Sequence, residues 1–145
     1  MFERIVLSVD RSPDSNKAVQ VASEIALSKG SEVIVLHGRD IAVVAPPAPP
    51  GPVPPPQAET ETEDEAQRLV DEAVRELQEA GVTARGVVLP FRGRLAQQII
   101  DTARTESADL IVLGSRGMSR IQQIVIGSVA NKVIHLSPYP VLLAR

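Results

Sequence analysis

Apolar positions along the chain fall into short unbroken runs separated by longer stretches with helical spacing. Ile5–Val9 is apolar apart from Ser8 and stops at Asp10. Val33-Ile34-Val35-Leu36, continuing to His37 and Gly38, forms a second run, and Ala108–Leu113 and Val141–Ala144 form two more; Val82–Leu89 instead alternates enough to be a further strand. Short runs rich in Val, Ile and Leu predict strands buried on both faces. Between them, Ala18, Val21, Ala22 and Ile25 recur with a helical period. So do Ala66, Leu69, Val70, Ala73 and Leu77 within a helix predicted over Ala58–Ala80. Leu95, Ile99, Ile100 and Ala103 mark a third helix, and Val129, Val133 and Ile134 a fourth. The punctuation agrees. Ser12-Pro13 supplies an N-cap and a first helical residue whose missing N–H costs nothing, and Gly30 and Gly81 close helices.

Strands that alternate with helices predict βαβ units. The expected fold is therefore α/β, a single Rossmann-like domain over residues 1–145 with a five-stranded parallel sheet and helices on both faces. A chain of 145 residues is long enough to bury roughly 68–70% of its unfolded surface in one core. One segment interrupts the pattern. Eight of the twelve prolines lie between residues 44 and 57, in an insertion after the second strand. Proline removes ladder donors and blocks helix, so this segment is expected to be extended. It reads as a semi-rigid connector, or as a docking strip for a partner with an aromatic groove.

In sheets of this kind ligands bind beyond the carboxyl ends of the strands, where the strand order reverses. Asp10, Gly38, Phe91–Arg94 and Gly114 all fall at such ends. The densest signal is Gly114-Ser115-Arg116-Gly117, followed nine residues later by Gly127-Ser128 and the helix that begins near Val129. Three glycines and a hydroxyl residue at fixed offsets arise by composition alone in roughly 0.5% of chains this long, so the spacing carries information. Glycines permit positive φ and close approach of backbone to ligand. A helix start offers free N–H groups and the positive end of a dipole. Ser128 can act as the N-cap or give its hydroxyl to a phosphate oxygen. Among nearby cations, Arg116, Arg120, Arg92 and Arg94 can reach an anion, with Arg116 inside the motif. Asp10 reads either as a ligand for a nucleoside or hydrated Mg²⁺, or as a cap for the helix that follows. His37 and His135 read as structural histidines, and Glu59, Glu61, Glu63, Asp64 and Glu65 as the solvated start of a helix.

Composition narrows the classes. With no cysteine among the 145 residues, disulfides and thiolate chemistry are excluded. Net charge is −3 and aromatics are 2%, which gives neither the electrostatic footprint nor the stacking platforms of a nucleic-acid binder. No apolar run approaches a membrane span, and Met1-Phe2-Glu3-Arg4 runs straight into a strand without a signal-peptide pattern; the expected compartment is the cytoplasm. The Walker and dinucleotide glycine patterns are absent, and no Ser-His-Asp set can be placed.

Gly114-x2-Gly117-x9-Gly127-Ser128, with Val6-Leu7-Ser8-Val9-Asp10, Ala108–Gly114 and Pro138-Tyr139-Pro140-Val141-Leu142-Leu143, resembles the ATP-binding type of the universal stress protein family. The likeness runs from Ile5 to Ala144. It implies an adenine-nucleotide-binding regulator of stress responses that binds ATP, with Mg²⁺, and at most hydrolyses it slowly. It carries the binding role onto Val9, Asp10, Gly38, Gly114, Arg116, Gly117, Gly127, Ser128 and Val129. It also implies a homodimer paired through an edge strand containing Val141, Leu142 and Leu143. One position departs from the family pattern: where ATP-binding members carry a branched apolar residue against adenine, this chain has Gly38. AMP or cyclic AMP is therefore an alternative ligand, and a dimeric scaffold without nucleotide an alternative function.

Overall fold

The computed structural model describes residues 1–39, 61–90, 94–116 and 126–145. The proline-rich insertion, Arg92, Gly117 and Arg120 lie outside the described residues. Among those described, the elements run β1 (Arg4–Ser8), α1 (Pro13–Lys29), β2 (Glu32–Gly38), α2 (Glu63–Glu79), β3 (Thr83–Leu89), α3 (Leu95–Thr105), β4 (Leu110–Gly114), α4 (Ser128–Leu136) and β5 (Val141–Ala144). All strand pairs are parallel and the order is β3-β2-β1-β4-β5. The chain builds outward from β1 through β2 to β3, then returns to the other side of β1 with β4. The order therefore reverses between β1 and β4, and the crevice at their carboxyl ends is bounded by Asp10 and Gly114.

Side-chain alternation explains the layers. Ile5, Leu7, Val33, Val35 and Val112 point to one face, where they meet Ala18, Val19 and Ala22 of α1 and Val70, Ala73 and Leu77 of α2. Val6, Ile34, Leu36, Ile111 and Leu113 point to the other, against Ala96, Ile99, Ile100 and Ala103 of α3 and Ala130 and Val133 of α4. The three central strands are thus apolar through their middles, as strands covered on both faces must be, with polar residues only near their ends.

Local chemistry fixes the ends. The Ser12 side chain accepts from the Ser15 N–H, and Gly30 ends α1 at φ 71°, a conformation open to glycine at no steric cost. The second helix starts at Glu63, later than the sequence pattern suggests, because Thr62 and Glu65 form a reciprocal capping box there. Strand β4 begins at Leu110 instead of Ala108. Ala108 still bonds back to Ala103 at the end of α3, and the Asp109 carboxylate accepts from the N–H groups of Phe2, Glu3 and Arg4. At this amino end of the sheet Arg4 and Arg85 bracket Glu32 and Glu106, a charged rim opposite the crevice.

Candidate functional site: a crevice at the strand-order reversal

The two halves of the glycine signature meet in space. The Gly127 N–H donates to the Ser115 carbonyl at 2.8 Å, so the end of β4 and the start of α4 are joined directly. The Ser115 N–H in turn donates to the Ala144 carbonyl of β5 at 2.8 Å, which fixes this junction to the sheet.

Gly114 serves through space and not through φ. Its φ is not positive, and Gly127 has φ −57°, so the expected left-handed turn is absent at both. A Cβ on Gly114 would stand 2.9 Å from the Asp14 carbonyl carbon, 3.0 Å from Asp14 Cβ and 3.0 Å from the Ser15 nitrogen. Strand β4 ends hard against the first turn of α1, and only glycine fits there. Ser128 also differs from expectation. Gly127 is the N-cap of α4, Ser128 is the first helical residue and exposed, and no side chain caps this helix. The first intrahelical bond runs from the Asn131 N–H to the Gly127 carbonyl. The N–H groups of Ser128, Val129 and Ala130 therefore have no partner within the helix, and the Ser128 hydroxyl is not consumed in capping.

Asp14, which the sequence pattern marked only as helix, is central to the geometry. Its buried carboxylate accepts from Ser115 Oγ at 2.9 Å and from the Arg116 N–H at 3.2 Å, and lies 3.4 Å from Arg116 Nε. Burial pushes this carboxyl up, but the hydrogen bonds from Ser115 and Arg116 and the Arg116 charge outweigh it, and the net shift is downward. Arg116 keeps its side chain 48% exposed, with both terminal guanidinium nitrogens unengaged among the described residues.

Asp10 is not the cap of α1, a role that Ser12 takes. Its Oδ1 accepts from the Ser12 N–H at 2.7 Å, and its own N–H donates to Ser15 Oγ at 2.9 Å. The carboxylate thus shapes the β1–α1 turn while Oδ2 stays without a hydrogen bond among the described residues. Val9 sits behind it, with its side chain buried and its N–H on the Leu36 carbonyl at 2.8 Å. Its carbonyl accepts from His37 Nδ1 at 2.8 Å. His37 Nε2 lies 2.8 Å from Glu61 Oε2, so both ring nitrogens are occupied, as a structural histidine requires. Glu61 corrects the sequence reading. Its side chain is 9% exposed and meets Arg11 and His37, while its carbonyl accepts from Arg39. It precedes the capping box and turns inward, away from the solvated acidic start of α2.

Gly38 ends β2 in register with Leu89. A Cβ there would meet the side chain of Leu95, which sequence spacing identified only as a helix position. Arg94 is the exposed N-cap residue of α3. Among the described residues no group of three or more acidic or histidine side chains is placed to hold a metal.

Known proteins share this fold. The family model described as "Universal stress protein family" matches residues 1–145. The chain belongs to the universal stress protein family. Universal stress protein YxiE of Bacillus subtilis is 32% identical over 150 residues, covering all of both chains. The solved universal stress protein of Archaeoglobus fulgidus superposes with a TM-score of 0.75 at 24% identity, again over the full length of both. The same organism's protein in complex with dAMP gives 0.70 at 24% identity over the whole of both chains. A universal stress protein in complex with cAMP gives 0.66 at 23% identity, over 99% of this chain and 97% of that one. These structural likenesses carry the Rossmann-like fold; the bound nucleotides belong to those proteins. No described helix is long and apolar enough to cross a membrane.

Proposed function

We propose that this chain is a cytoplasmic regulatory protein that binds an adenine nucleotide, ATP with Mg²⁺, in the crevice between β1 and β4. The observation that supports the reading is the bond from the Gly127 N–H to the Ser115 carbonyl, which brings the start of α4 to the end of β4 beside the reversal of strand order. The triphosphate lies on Gly114, Gly117 and Gly127, on the Ser128 hydroxyl and on the free N–H of Val129, with the dipole of α4 favouring its charge. Arg116 supplies the cation. The nucleoside lies between Val9, Asp10 and Gly38, with Asp10 Oδ2 toward a ribose hydroxyl or the metal. The dAMP and cAMP found in related structures support the adenine preference.

Asp10 is the candidate base at this site, and the reading is binding with at most slow hydrolysis. Two copies pair through β5. That strand forms one edge of the sheet, and Val141, Leu142 and Leu143 are only partly buried, an apolar edge that calls for a partner.

Replacing both Gly117 and Gly127 by Val tests the site. The expected result is loss of Mg-ATP binding in a folded protein; unchanged affinity would place the nucleotide elsewhere.

A further inference from the structure

A purine needs an apolar surface against its flat face and polar groups at its edges. At the end of β2 the chain offers no side chain of its own, yet the space is filled. A Cβ on Gly38 would stand 2.5 Å from Leu95 Cδ1, 3.3 Å from Cδ2 and 3.4 Å from Cγ. Leu95 therefore occupies the volume that a side chain at position 38 would take. It is the first residue of α3 and is half-buried, packed against the cluster that includes Leu36, Leu89 and Ile99. That packing holds it in place over Gly38.

We propose that Leu95 is the base-contacting residue of the nucleotide site, presenting from α3 the apolar surface that β2 lacks. The inference rests on the adenine-nucleotide reading and adds the residue that supports the flat face of the base. Glycine at 38 is then a spatial partner of Leu95. The obstructing atoms are the far end of a flexible side chain, so a residue added at 38 displaces Leu95 from its position without breaking the sheet.

The test is a swap. Binding of Mg-ATP and of tripolyphosphate is titrated calorimetrically into the full chain and its Leu95→Ala, Gly38→Val and Gly38→Val/Leu95→Ala variants, after circular dichroism confirms the fold. Leu95→Ala is expected to weaken Mg-ATP roughly tenfold or more, the scale of missing apolar groups in a pocket, while tripolyphosphate is held as before. The double variant, with a wall on β2 in place of α3, is expected to recover most of the loss. Mg-ATP affinity unchanged or tightened by Leu95→Ala, or an equal loss for tripolyphosphate, would overturn the role of Leu95. A parent chain that binds tripolyphosphate but gains nothing from the nucleoside would instead overturn the adenine reading.

Discussion

Adding one methyl group at Gly114 probes the contact on which the crevice is built. The three atoms nearest an added Cβ lie at 2.9, 3.0 and 3.0 Å, and all belong to the backbone or Cβ of Asp14 and Ser15. Carbon atoms pack best at about 3.5–4.0 Å, so the new group is too close to each by roughly half an ångström or more. None of these atoms can rotate away. They are held in the first turn of α1 by the Ser12 cap, and the Asp14 carboxylate is tied to Ser115 and Arg116. Either the end of β4 or the start of α1 must retreat. Overpacking of this kind costs about 1–3 kcal/mol. In a chain of 145 residues each kcal/mol moves Tm by about 2–4 °C. Gly114→Ala is thus expected to lower Tm by roughly 2–12 °C. The assay is thermal unfolding by calorimetry without nucleotide and at matched protein concentration, since ligand and dimer both shift Tm. A Tm within about 1 °C of the parent, well under the shift that 1 kcal/mol produces, would show that the junction has room and refute the close-approach argument.

Other outcomes follow from the same geometry. The carboxyl of Asp14 sits below its ordinary value of 3.8 in the folded state, so the unfolded chain takes up this proton first. Its stabilisation is complete above the unfolded pKa and is lost as pH falls through the folded one. The stability gap between the parent and Asp14→Asn, read from urea unfolding, should be flat from neutrality to about pH 5 and shrink below about pH 4; a gap that widens on acidification would contradict the assigned bonds. Thr62→Ala removes one half of the α2 capping box and should cost about 0.5–2 kcal/mol in the same assay. Light scattering should give twice the 15.5 kDa chain mass, and Leu142→Arg at the β5 edge should give a monomer.

Much of the fold is legible in the sequence because it rests on periodicity. Apolar runs between caps such as Ser12-Pro13 and Gly30 locate the strands and helices, and every strand central in the sheet reads as a continuous apolar run. Gly114 and Gly127 fall at a strand end and a helix start, as their spacing suggests, for the same local reason. What stays hidden depends on pairs far apart in sequence. Asp14 looks like an ordinary acidic residue in a first turn, and only the fold brings it to Ser115, 101 residues away. Leu95 looks like one more position on an apolar helix face, and only packing shows it standing over Gly38. Glu61 belongs by composition to an acidic run, but the buried His37 draws it inward. The purpose of Gly114 is likewise invisible locally, since the neighbour that forbids a side chain is on another element.

The most direct test of the central claim is to denature the purified chain and identify any released small molecule by liquid chromatography and mass spectrometry, then titrate the emptied protein with Mg-ATP. An adenine nucleotide at close to one per chain, or saturable Mg-ATP binding that disappears in the Gly117→Val/Gly127→Val variant, is the predicted result. No released nucleotide together with no heat of Mg-ATP binding would contradict the account and leave a dimeric scaffold as the function of this crevice-bearing fold.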